Sequence, residues 1–277
     1  MGNLAHDTEV TGGNGAYRAQ LSPEWSFWEL NGGYVAAVAL RAAGAESPLP
    51  RPAAFYCHYL KAAKPGEVEI NVETLRVSKR THSLRVVLTQ SAQLVMEALV
   101  WIVDDALKGV QHDLAVMPEV PPPDELRSQE EIHAGEQAPF PFWNNIEQRP
   151  VTWQGRWDER PKQHPLWRSW QRFRPQATFD DVYVEAGRAM ILIDTMLYPA
   201  AALAHSGTMP FVAPSMDLAV RFHQFSPQSE WLLSSTESPI AAEGLIGGYA
   251  AVWSPDGRLL ATGGQQMIVQ MVSEPPA

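Results

Sequence analysis

A repeated order of elements constrains this chain of 277 residues more tightly than any short motif in it. In the first copy, a helix of apolar and small residues opens at Asn31-Gly32-Gly33-Tyr34 and leads into strands at 55–66, 67–75 and 98–103. In the second, a helix beginning near Asp180 leads into strands at 217–228, 230–238 and 259–269. A helix that is apolar all round is a buried one. The strands that follow it alternate, Val68, Ile70 and Val72 with Glu69, Asn71 and Glu73, which marks a sheet with one face on the core. Each copy thus reads as one buried helix inside an antiparallel meander.

The boundaries follow from texture. Residues 1–104 form the first module. Residues 105–150 carry Pro118, Pro121, Pro122 and Pro123 among acidic side chains and read as a linker lying over the surface. Residues 151–277 form the second module. Gly44 suits the stop of the first helix. Asp180 and Asp181 suit the N-cap and first turn of the second, whose buried face is Ala186, Ala189, Met190, Ile193, Met196 and Leu197, and which ends near Pro199.

Composition narrows the function. Hydrophobic residues are 45% and charged residues 19%, which is globular. A net charge of −10 argues against a nucleic-acid partner. The single cysteine, Cys57, excludes a disulfide within the chain and reads as a small buried hydrophobe. No apolar stretch approaches the roughly 20 residues of a membrane span, and the first residues lack the pattern of a signal peptide, so a cytoplasmic location is expected. The histidines show no metal-ligand spacing, there is no phosphate loop and no G-x-S-x-G elbow, and neither metal nor cofactor is expected.

The differences between the copies point to chemistry. Superposing the turn prolines Pro65 and Pro227 places Phe55 on Asp217 and Arg76 on Ser238. Superposing Leu94-Val95 on Leu259-Leu260 places Val100 on Gln265. Polar residues thus stand in the second copy where the first has two apolar residues and an arginine. Asp217 could serve as a base or a nucleophile; its bland alternative is a solvated strand face. The backbone amides of Gly32 and Gly33, at the start of a buried helix, could hold a carbonyl oxygen as it becomes charged; close helix packing is the alternative use of those glycines.

These segments resemble the double-hotdog acyl-CoA thioesterases, the TesB-like type II group. The resemblance rests on Asn31-Gly32-Gly33-Tyr34, His58-Tyr59-Leu60, Pro65-Gly66, Val72-Glu73-Thr74-Leu75-Arg76 and Gln90, then Asp217, Arg221-Phe222-His223, Glu230-Trp231-Leu232-Leu233, Glu237-Ser238, Asp256-Gly257 and Gln265. It implies an α+β double hotdog with the two sheets joined edge to edge, and hydrolysis of a fatty acyl-CoA to free acid and CoA. It also implies a water held by Asp217, Ser238 and Gln265, with Thr236 competing for the place of Ser238, and a substrate-side role for His58. A homodimer or higher homo-oligomer is expected. Two alternatives stay open: a non-catalytic acyl-thioester-binding protein, since Gln266-Met267 departs from the family ending, and a hotdog hydratase or dehydratase using Asp217 with His223.

Overall fold

The computed structural model, which describes residues 1–134, 136, 138–205 and 211–271, joins both halves in one continuous antiparallel sheet. The first half supplies β1 (Thr11–Gly13), β2 (Ala16–Leu21), β3 (Arg51–Tyr59), β4 (Gly66–Val77), β5 (Thr81–Gln90) and β6 (Gln93–Val103). The second supplies β7 (Ile146–Pro150), β8 (Leu166–Phe173), β10 (Asp217–Phe222), β11 (Trp231–Ala242), β12 (Leu245–Trp253) and β13 (Leu259–Ile268). Two short strands, β9 (Phe211–Val212) and β14 (Gln270–Met271), pair with each other. The helices are α1 (Leu4–Asp7), α2 (Gly32–Glu46), α3 (Gln129–Ile132), α4 (Val182–Thr195) and α5 (Leu197–Ala202).

The order across the large sheet is β1-β2-β4-β5-β6-β3-β10-β13-β12-β11-β8-β7. The halves meet where β3 pairs with β10, from Asp217 opposite His58 to Arg221 opposite Ala54. This is the expected double hotdog. Alternation sets the inner face. Val68, Ile70 and Val72 are buried in β4 while Glu67, Glu69 and Glu73 are exposed. In β10 the buried residues are Leu218, Val220 and Phe222.

The sheet wraps α2 and α4, which run antiparallel. Gly33 near the start of α2 lies against Ile191 near the end of α4, Ala37 against Gly187, and Gly44 against Tyr183. A Cβ on Gly33 would lie 2.7 Å from the Ile191 Cα, a backbone atom that cannot step aside, so this crossing requires glycine. Gly44 does not stop α2. The helix continues to Glu46, and Gly44 instead admits the Tyr183 ring, which a Cβ there would meet at 2.7 Å. Asp181 caps α4 by accepting from the Tyr183 and Val184 amides. That helix ends at Thr195, and Pro199 falls in the first turn of α5, where a missing amide hydrogen is tolerated.

The expected linker crosses the surface but also contributes to the fold. Phe142 is fully buried, Pro121 O accepts from Trp170 Nε1, and β7 is an edge strand of the sheet. No helix among the described residues is long and apolar enough to cross a membrane.

Candidate active site

The antiparallel helix pair brings the C-terminal turn of α4 onto the N-terminus of α2. An acid in the last turn of a helix meets the negative end of that helix's own dipole. Asp194 occupies such a position, yet its carboxylate faces the positive end of α2. Asp194 Oδ2 accepts from the Gly33 amide at 2.9 Å and from Asn31 Nδ2 at 2.9 Å. Asn31 is itself the N-cap of α2, its Oδ1 accepting from the Tyr34 amide, and its Nδ2 also reaches Thr195 Oγ1. One side chain therefore ties both helix ends together.

Two further groups close round Asp194. Ser215, just before β10, has its hydroxyl 3.1 Å from Asp194 Oδ1 and 3.0 Å from Gln265 Oε1. A hydroxyl has one hydrogen, so it donates to one of these acceptors at a time. Gln265 projects inward from β13, 6% exposed, and its Nε2 donates to the Asp194 carbonyl oxygen at 2.5 Å. Helix end, strand and loop thus converge on one residue, Asp194.

Burial dominates the electrostatics. Asp194 is 6% exposed, and desolvation pushes its pKa up from 3.8 to about 6, against the opposing pull of the Gly33 amide, Ser215 and Asn31. A carboxylate with such a pKa is mostly ionised at neutral pH, yet basic enough to take a proton from water.

The structure divides the residues singled out in the sequence. Gln265, Gly32 and Gly33 lie at this junction. Gly33 donates its amide to Asp194, so it orients the carboxylate and is not free for a substrate carbonyl. Asp217 does not join them. It stands on the outer face of β10, where its Oδ1 accepts from the Gln266 amide. Ser238 donates to Gly247 O in the β11–β12 ladder, and β12 separates β11 from Gln265 on β13. Two strand spacings are about 9–10 Å, beyond hydrogen-bonding reach. Thr236 lies on the same strand β11 and is separated from Gln265 by β12 as well; its buried hydroxyl has no partner among the described residues. His58 is exposed on the outer face of β3, bonded to Tyr56 Oη.

Sequence reasoning missed Asp194, Ser215 and Asn31. A signal for Asp194 was present: it is the one acid after the apolar run Ala189-Met190-Ile191-Leu192-Ile193, at the helix end that disfavours acids. Asn31 carried the mark of an N-cap. Ser215 carried none.

One antiparallel sheet wrapped round two buried helices is the double arrangement of the hotdog fold. Residues 21–103 match the N-terminal domain model of acyl-CoA thioesterases and residues 117–269 match the C-terminal one. The chain belongs to the acyl-CoA thioesterase family and is a thioester hydrolase. Three solved structures share the fold over nearly the whole chain. A conserved hot dog fold protein of unknown function from Alicyclobacillus acidocaldarius is 22% identical, with a TM-score of 0.81 over 96% of this chain and 97% of its own. The acyl-CoA thioesterase II TesB2 of Mycobacterium marinum is 19% identical, with a TM-score of 0.79 over 98% and 99%. The tesB protein of Mycobacterium avium subs paratuberculosis is 21% identical, with a TM-score of 0.79 over 96% and 98%. No curated protein sequence matches.

Proposed function

We propose that the chain hydrolyses fatty acyl-CoA thioesters through a water activated by Asp194 and held by Ser215 and Gln265. The observation that carries this reading is the buried Asp194 carboxylate, fixed by Gly33 and Asn31 and raised in pKa to about 6. In the reaction Asp194 takes one proton from water. The oxygen left behind bonds to the thioester carbonyl carbon, and the carbonyl π pair moves onto its oxygen. Collapse restores the C=O bond and breaks the C–S bond. The sulfur leaves with the bonding pair and takes the proton from Asp194. Water and acyl-CoA become carboxylic acid and thiol, and the carboxylate is regenerated.

Ser215 and Gln265 suit the positioning of that water. When the Ser215 hydroxyl turns to Gln265 Oε1, Asp194 Oδ1 is free to receive the proton. The Tyr34 amide is taken by Asn31 and the Gly33 amide by Asp194. The Gly32 amide, the first of α2, then faces the carbonyl oxygen where the helix dipole favours negative charge. A hydratase built on Asp217 and His223 has less support, because those side chains bond to the Gln266 amide and to Thr262 Oγ1.

The test is thiol release from acyl-CoAs of graded chain length. The wild type is expected to release thiol and Asp194→Asn to lose that activity. Undiminished turnover in Asp194→Asn would remove the proposed base.

A further inference from the structure

The inner face of β3 ends in a tyrosine that the reaction described above does not use. Phe55 and Cys57 are buried on that face, and Tyr59 follows them by the strand's period of two, while Tyr56 and His58 point outward. The hydroxyl of Tyr59 is buried and, among the described residues, has no nitrogen or oxygen partner; the Cys57 thiol, a weak hydrogen-bonding group, is its polar neighbour. Leaving a buried hydroxyl unpaired costs about 1–3 kcal/mol, which phenylalanine in the same place would avoid.

The position of that hydroxyl is specific. A Cβ built on Gly32 would lie 3.0 Å from Tyr59 Oη and 3.1 Å from Asp194 Oδ1. A single point beside the first residue of α2 therefore touches both the tyrosine hydroxyl and the carboxylate. The Tyr59 backbone adds a third tie, its amide donating to Met216 O at 2.9 Å, next to Ser215. The tyrosine thus lies beside the junction at Gly32.

We propose that Tyr59 is a catalytic hydrogen-bond donor to the thioester carbonyl oxygen, acting with the Gly32 amide. This rests on the thioesterase reading above. The phenol donates without giving up its proton. Burial, with Cys57 and Asp194 nearby, raises its pKa well above the ordinary tyrosine value, so it stays protonated and available as a donor across the working pH range. A donor placed for the charged oxygen strengthens as charge develops and lowers the barrier more than it tightens binding. The glycine at 32 has a matching reason, because any side chain there would wedge between Tyr59 and Asp194.

Tyr59→Phe keeps the ring and removes only the hydroxyl. Steady-state thiol release is measured for wild type, Tyr59→Phe and Asp194→Asn, with melting temperatures for all three. The expected result is a kcat for Tyr59→Phe reduced about 10- to 100-fold, KM within about threefold, and a melting temperature equal to or above wild type. A kcat within twofold of wild type, or a loss confined to KM, overturns the proposal while leaving the thioesterase reading in place. A wild type that releases no thiol from any acyl-CoA overturns both.

Discussion

The helix pair α2–α4 has two ends, built alike and used differently. At one end Gly33 meets the α4 backbone, and Asp194, Asn31, Ser215 and Gln265 gather round the contact. At the other end Gly44 meets Tyr183, whose ring covers the glycine and whose hydroxyl donates to Leu49 O at 2.9 Å. Both ends use glycine to bring helices close. One spends that closeness on packing a phenol, the other on holding a carboxylate. On the proposed reading, a near-symmetric fold carries one reactive junction, and the other is filled by a side chain.

The comparison breaks most sharply at Asp194. Asp194→Asn is expected to reduce kcat about 10²- to 10⁴-fold in the thiol-release assay. Wild-type kcat/KM should fall as pH drops through about 6, because the base must be ionised, and about tenfold per pH unit below that. Stability runs the other way. The unfolded carboxyl titrates near 3.8 and the folded one near 6, so the folded state pays nothing below the lower value and its full penalty, about 3 kcal/mol, above the higher. Asp194→Asn should therefore melt above wild type at pH 8, with the gap closing as pH falls through 6.

Gly33→Ala tests the closeness itself. Its Cβ must part the two helices, and a stability loss of about 1–3 kcal/mol in urea unfolding is expected together with lowered kcat. Tyr183→Ala strips the filler from the silent junction. It should cost about 2 kcal/mol of stability yet leave kcat within twofold of wild type. The smallest effects belong to the two polar residues outside the site. Asp217→Asn and Ser238→Ala should each keep kcat within twofold, with Ser238→Ala costing about 1 kcal/mol for its lost bond to Gly247 O. A large activity loss in either would move the chemistry away from Asp194.

How much of this was legible turns on strand parity. The apolar helix at Gly32-Gly33, the alternation of β4 and the repeat itself carried the architecture, because burial patterns are written locally. Gln265 falls on the inner face as expected because Leu94-Val95 and Leu259-Leu260 align the last strands with their faces matched; Val100 and Gln265 are both buried. Asp217 and His58 stand on the outer face, for the opposite reason. Superposing Pro65 on Pro227 sets inward Phe55 against outward Asp217. A slip of one residue exchanges the faces of a strand, and turns of unequal length gave that slip. His58 lies one residue short of Tyr59, which has the inner position. Asp194 meets Gly33 and Asn31 because α4 crosses α2, and meets Ser215 because the chain returns before β10, encounters no local pattern records.

The edge-to-edge seam between β3 and β10 has a consequence for dilution. Two separate chains sharing such a seam would part as their concentration fell, and the carboxylate from one would leave the glycine-started helix of the other. Here the covalent chain holds both sides of the junction near each other at any concentration, at an effective concentration set by the connecting segment. Activity per molecule should then stay constant down to the lowest enzyme levels an assay can follow.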